Sequence, residues 1–157
     1  MENSRYPIVR EIRPEDFGAL MELYTHLHEQ DVPVMDERTG ALWMRLVEDQ
    51  DYHILVAEAE GKIVSSCTCV IIPNLTRGQR PYAFVENVVT HPDHRKQGLA
   101  SACLERARQI AMGEGCYKMM LLTGSKEEST LRFYEAAGYN RKDKTAFIRW
   151  LDFQPGS

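Results

Sequence analysis

The chain has 157 residues, of which 43% are apolar and 27% charged, and a formal net charge of -4. A single domain of this size buries roughly 70% of its unfolded surface without staples. The acidic balance excludes a general nucleic-acid binder, whose sequence-independent affinity rests on Lys and Arg neutralising phosphates.

The apolar runs fall far short of a membrane span, and Met1 to Arg13 carries charges with no apolar signal core. The expectation is one cytoplasmic domain, residues 1–157, with neither membrane nor nucleic acid as partner. Cys67, Cys69, Cys103 and Cys116 include a C-x-C but no C-x-x-C, and no paired histidine spacing accompanies them. Buried reduced thiols are expected rather than a metal site or a disulfide framework.

In chain order, Ile8, Val9 and Ile12 alternate with charges in a first strand, and Pro14, Glu15 and Asp16 open a helix running through Phe17, Leu20, Leu23, Tyr24 and Leu27 and ending before Pro33. His26, His28 and Asp31 near its end lie on different helix faces, which favours solvated side chains over a metal site. A second helix is predicted from Arg38 to Glu48, with Leu42, Trp43, Leu46 and Val47 as its apolar face. His53 to Ala59 and Ile63 to Ile72 form a hairpin across Glu60-Gly61, and Pro73 to Pro81 is a polar, proline-flanked loop.

The organising stretch follows. Phe84, Val85, Val88 and Val89 mark a strand that ends near Thr90, before Pro92. Leu99, Cys103, Leu104, Ala107, Ile110 and Ala111 fall at helical spacing, and Gly113 and Gly115 close that helix. Then come a short strand at Lys118 to Leu122, a helix at Thr130 to Ala137 ended by Gly138, and a last strand at Ala146 to Phe153. The order is β-α-α-β-β-β-α-β-α-β, a mixed α/β chain.

Between strand and long helix lies Arg95-Lys96-Gln97-Gly98-Leu99-Ala100. A helix start leaves N–H donors unpaired, Gly98 keeps no Cβ in a ligand's way, and Arg95 and Lys96 add positive charge, so the loop suits an anion. The nucleotide P-loop spacing and the dinucleotide fingerprint are both absent. A solvated cap is the competing reading of the loop taken alone.

The run V-V-T-H-P-D-H-R-K-Q-G-L-A resembles the acetyl-CoA signature of the GNAT superfamily of acyltransferases, R/Q-x-x-G-x-G/A after a strand, and F-Y-E-A-A-G-Y, Phe133 to Tyr139, resembles its second signature. The resemblance implies the GNAT acyltransferase fold, a partly splayed mixed sheet of about six to seven strands flanked by four helices. Acetyl-CoA, the acyl donor, is expected to enter where the fourth and fifth strands part. Its pyrophosphate falls to Arg95, Lys96, Gln97, Gly98, Leu99 and Ala100, and its pantetheine arm to Val88, Val89 and Thr90. The implied reaction is direct transfer of the acetyl group to a primary amine in a ternary complex. The alternatives are a silent acyl-CoA-binding module and a peptide or protein amine acetyltransferase.

Glu86 is the one carboxylate inside an otherwise apolar strand, a costly placement unless it is partnered or functional. Partial burial would raise its proton affinity and suit it to act as base through a water, and a solvent-facing strand glutamate is the other reading. The resemblance implies a backbone N–H near Val88 as holder of the acetyl carbonyl, and Tyr134, which also counts among the cofactor contacts, as the acid that protonates the sulfur. The other reading of Tyr134 is a core aromatic. Cys103 and Cys116 lack a recognisable histidine partner, no G-x-S-x-G elbow exists, and His91 and His94 fit a surface turn better than a metal site.

F-V-E-N-V-V, G-C-Y-K-M-M-L and the terminal I-R-W are similar to the glucosamine-6-phosphate N-acetyltransferase group, where Arg149 matches the arginine that meets the sugar phosphate. The substrate side is thus assigned Glu86, Asn87 and Arg149, and a homodimer with a shared terminal strand is implied. The chain departs from that group at Asn87, where the group has Asp, at Thr123-Gly124, where the group has an aspartate after the fifth strand, and at Thr130, which replaces an asparagine.

Overall fold

A computed structural model describes residues 7–27 and 32–152. The chain divides into two compact units, Met1–Leu121 and Leu122–Ser157.

The first unit is built on a five-stranded sheet in the order β1-β2-β3-β4-β5, with β1 Ile8–Glu11, β2 Tyr52–Ala59, β3 Lys62–Ile72, β4 Tyr82–Thr90 and β5 Met119–Leu121. Neighbours from β1 to β4 are antiparallel, and β5 runs parallel to β4. That parallel step needs a crossover, supplied by the long helix between them. Glu60 and Gly61, at φ 53° and 74°, take the left-handed pair that a two-residue hairpin turn requires.

Pro14 opens a 3-10 turn, Pro14–Asp16, that leads into α1, Phe17–Tyr24. The predicted helix tightens after Tyr24 into i→i+3 bonds, His26 N–H to Leu23 O at 3.1 Å and Leu27 N–H to Tyr24 O at 3.0 Å. His28 and Asp31 lie outside the described residues. Asp36 caps α2, Glu37–Glu48, by accepting from Thr39 N–H at 2.7 Å. Trp43 is its buried residue, whereas Leu42, expected on the apolar face, is exposed. Trp43 decides the helix's rotation: it packs edge-on against Phe17 and donates Nε1–H to Pro14 O at 2.9 Å. The 73–81 loop contains a single turn, α3 (Thr76–Gln79), with Arg77, Gly78 and Gln79 all left-handed.

Strand alternation divides the core between the two faces of the sheet. Ile54, Val56 and Val89 join Leu20 and Leu23 of α1 and Trp43 of α2 in one cluster. On the opposite face, α4 (Leu99–Gly113) buries Leu99, Cys103, Leu104, Ala107 and Ala111 over β2, β3 and β4.

Arg10 ties the edge strand in. It donates Nη1–H and Nη2–H to Asp16 at 2.7 and 3.0 Å and Nη2–H to Glu58 at 2.6 Å. Asp16 in turn accepts the Arg13 N–H at 2.6 Å.

The second unit holds α5, Glu128–Ala136, followed by Gly138 at φ 98°. Arg141 reaches back to Glu128 at 2.7 Å and Glu135 at 2.8 Å. The strand predicted from Ala146 does not form over residues 146–152, and the sheet therefore has five strands rather than six to seven among the described residues. The apolar run is there, but a strand exists only where a neighbour completes its ladder. Phe147 and Leu151 are each 92% exposed. Phe153 lies outside the described residues.

Candidate active site

β4 and β5 pair only at Ala83 with Met119, Phe84 with Met120 and Val85 with Leu121. β5 stops there, while β4 runs on to Thr90 with β3 on one side and no strand paired on the other among the described residues. At this fork the β4 register against β3 also slips: Thr68 faces Glu86, but Ser66 faces Val89. Asn87 and Val88 thus oppose Cys67 alone, a bulge in which Asn87 takes φ 52°.

The extra residue inverts the alternation that follows. Val89, which an unbroken strand would turn toward α4, instead enters the core beneath α1 and α2. Thr90 turns to the other face, where its Oγ1 meets Ser65 Oγ at 2.8 Å.

β4 leads through a 3-10 turn, Pro92–His94, into the cationic loop. Gly98 at φ 77° is the N-cap of α4, and no side chain caps the helix. A left-handed residue followed by helical ones turns successive N–H groups to one side, the arrangement that holds anions. A Cβ built on Gly98 would meet nothing within 4 Å, so the approach is open. Arg95, Lys96, Gln97 and Gly98 are exposed, and Lys96 is itself left-handed at φ 62°. The Leu99 side chain is buried in the core, which leaves only its backbone for a ligand. An unpaired strand edge thus leads to an uncapped helix start of the kind that suits an anion.

Glu86 is exposed, not partly buried as its place in an apolar strand suggests. It lies on the α1 and α2 face opposite Thr68, where the ladder ends and the bulge begins. Burial, and then the Glu86 charge, push the Tyr52 phenol above its ordinary value. Tyr24, at the end of α1, packs against the core cluster beneath the helices; burial raises its phenol above the ordinary value, and Thr68 and Asn87 oppose the rise. Tyr24, Tyr52 and Thr68 were not marked by the sequence, because a tyrosine on an apolar stripe reads as core. Their one signal is a hydroxyl in the middle of an apolar face.

A cavity of ≈450 Å³ at the start of β2 includes Tyr52, His53, Glu11 and Glu114 in its lining but none of the cationic loop. The thiols are free, with Cys67, Cys69 and Cys103 buried. Hydrogen bonding with Cys103 and burial hold the Cys67 thiol far above its ordinary value, and burial pushes Cys69 up to about 11. Neither is a ready thiolate. His26 is exposed, as expected, and its ring lies edge-on to that of His91 with centroids 4.8 Å apart, while His91 lies 5.8 Å from His94. Among the described residues no group of three or more metal-ligating side chains is placed to hold a metal ion.

Within the second unit, Tyr134 lies on α5, edge-on to Phe133 at 5.1 Å and to Tyr139 at 6.4 Å. Arg149 is exposed on the irregular segment that follows.

The family model for the GNAT acetyltransferases matches residues 10–139. The glucosamine 6-phosphate N-acetyltransferase of Trypanosoma brucei brucei is 29% identical over 136 residues, 87% of this chain and 90% of that protein. A solved structure from Agrobacterium tumefaciens superposes with a TM-score of 0.83 at 37% identity, over 91% of this chain and 99% of that one. The glucosamine-6-phosphate N-acetyltransferase structure from Arabidopsis thaliana shares the fold, with a TM-score of 0.82 at 23% identity over 94% of this chain and 99% of that one. The forked sheet, the bulge and the cationic helix start thus sit in a chain that belongs to the GNAT family, and the protein is an acetyl-CoA-dependent N-acetyltransferase.

Proposed function

We propose that the enzyme moves the acetyl group of acetyl-CoA onto the primary amine of a small molecule by direct transfer in a ternary complex, with amino sugar phosphates as the leading acceptor class. The observation that carries the transfer is the fork between Val85 and Leu121, at the bulge, on the strand that leads into the cationic loop. The acceptor class rests on similarity to the trypanosomal amino-sugar enzyme along nearly its whole length.

Acetyl-CoA supplies an activated thioester. In the proposed roles, the backbone donors from Arg95 to Ala100 hold its phosphates, and the β4 edge from Val88 to Thr90 pairs with its amide-bearing arm as a further strand would. A Val88 N–H at the bulge polarises the carbonyl. Glu86 takes a proton from the attacking amine through a water, the N–C bond forms as the C–S bond breaks, and Tyr134 returns a proton to the departing thiolate. Arg149 is assigned the acceptor's phosphate, matched by a planar fork of donors. The exposed Phe147, Ile148, Trp150 and Leu151 favour a homodimer in which this segment is covered by the second copy.

The deciding experiment measures free thiol released from acetyl-CoA with glucosamine 6-phosphate, with an aminoglycoside and with a lysine-containing peptide. Amine-dependent thiol with the sugar phosphate is the expected result. Tight acetyl-CoA binding with no amine-dependent thiol would replace this reading with a binding module, and release with the peptide alone would move the acceptor to protein amines. Light scattering at working concentration reads the dimer.

A further inference from the structure

β3 carries three hydroxyls, on Ser65, Ser66 and Thr68, and all three residues are fully buried. Two are bonded within the sheet: Ser65 Oγ donates to Val89 O at 3.1 Å, and Ser66 Oγ donates to Leu55 O at 2.7 Å. Thr68 Oγ1 has no hydrogen-bond partner among the described residues. A buried hydroxyl left so loses its hydration with nothing in return, and a valine would fill the same space without that loss. Such a group marks a place where a partner belongs.

Strand register says where that place is. Ile54, Thr68 and Glu86 are Cα partners in one row across β2, β3 and β4, so their side chains share a face of the sheet. Ile54 belongs to the core cluster under α1 and α2, whereas Glu86, at the other end of the row, is exposed. Thr68 stands between them, opposite Glu86 where the register begins to slip into the bulge. Directly opposite residues hold their Cβ atoms about 4.5–5.5 Å apart, a spacing across which one water can bridge a short hydroxyl and a longer carboxylate.

We propose that Thr68 is a positioning residue for proton removal, its hydroxyl holding the water through which Glu86 takes the proton of the acceptor amine. Thr68 Oγ1–H donates to the water's oxygen, one water O–H lies on the Glu86 carboxylate, and the second lone pair faces the incoming nitrogen. As the N–C bond forms, the water accepts the nitrogen's proton and passes one of its own to Glu86. One proton leaves the amine, one reaches the carboxylate, and the water is restored. A water held by the carboxylate alone would turn with an exposed side chain; a hydroxyl fixed in a buried strand gives it a second anchor. This inference rests on Glu86 as the base and names the group that aims its water.

Two substitutions split the threonine into its parts. Thr68→Val keeps the shape and removes the hydroxyl, and Thr68→Ser keeps the hydroxyl and removes the methyl. With whichever of the three amines above the wild-type enzyme turns over fastest, Thr68→Val should lower kcat on the order of tenfold near neutral pH, with acetyl-CoA affinity unchanged. The loss should shrink as rising pH deprotonates the amine in solution. Thr68→Ser should stay within about threefold of wild type. Adding Thr68→Val to Glu86→Gln should cost nothing more, because both act through one water. A crystal structure of the wild type with no amine present should show an ordered water within about 3.2 Å of both Thr68 Oγ1 and a Glu86 carboxylate oxygen.

A packing role for Thr68 predicts the reverse order, with serine worse than valine. That order, additive losses in the double variant, or no ordered water at that place would each overturn the proposal. A loss in Glu86→Gln beside a wild-type kcat in Thr68→Val would remove Thr68 and leave the base, whereas a wild-type profile in Glu86→Gln would remove the base and the relay with it. Should wild type acetylate none of the three amines, the acceptor reading fails while the ordered water still decides whether the hydroxyl holds one.

Discussion

Val85 and Leu121 are the last partners that the parallel strands β4 and β5 share. Past them β4 continues with β3 as its one paired neighbour among the described residues, toward the loop where Gly98 opens α4, so the edge that lacks a strand leads to the end that carries positive charge. The geometry yields a prediction about Gly98. Gly98→Asp places a carboxylate among donors meant for phosphate, and acetyl-CoA affinity measured by calorimetry should fall at least tenfold. Gly98→Ala separates charge from strain: it shares the cost of a left-handed side chain, about 1 kcal/mol, without the charge. Equal losses in the two variants would mean that backbone conformation, not repulsion of phosphate, explains the effect.

Glu86→Gln keeps the side chain's shape and removes the proton acceptor. Turnover near neutral pH should fall by about 10²-fold and recover in part as rising pH deprotonates the amine in solution. Exposure of Glu86 sharpens the test, since an exposed side chain has little packing to lose. A variant with the wild-type pH profile would assign Glu86 to structure alone.

Tyr134→Phe keeps the ring that packs edge-on against Phe133 and Tyr139. A phenol of pKa about 10 donates to a thiolate whose acid lies near 8.5 at modest cost, and a positioned acid contributes about 10²-fold. The loss should appear in kcat and not in acetyl-CoA affinity. Should kcat stay within about threefold of wild type while chemistry limits turnover, the thiolate takes its proton from solvent.

The Arg10 guanidinium and the Arg13 N–H hold the Asp16 carboxyl below the usual carboxylate range. A lowered folded-state pKa gives stability that is present above the unfolded value, about 3.9, and is lost as pH falls through the folded one. Asp16→Asn should cost about 1.5–3 kcal/mol at neutral pH, the worth of hydrogen bonds to a charged group. The gap between wild type and variant should shrink as the pH drops below about 4. Urea unfolding across that range checks it, and a gap independent of pH would show that the carboxylate's charge contributes nothing.

What the sequence determined by itself is what neighbouring residues decide among themselves. The helical spacing from Leu99 to Ala111, the turn at Glu60-Gly61 and the placement of Gly98 at a helix start all rest on local periodicity and local φ preference, and each element formed where it was expected. The strand limits at Tyr82 and Thr90 were legible for the same reason.

Only the tertiary structure decided the bulge at Asn87, because an extra residue is defined by the register of a partner strand. That slip sends Val89 into the core beneath α1 and brings Glu86 and Asn87 to the mouth of the fork. The same dependence explains the expected strand at Ala146: its apolar run is local, but whether it becomes a strand is settled by the edge that pairs with it.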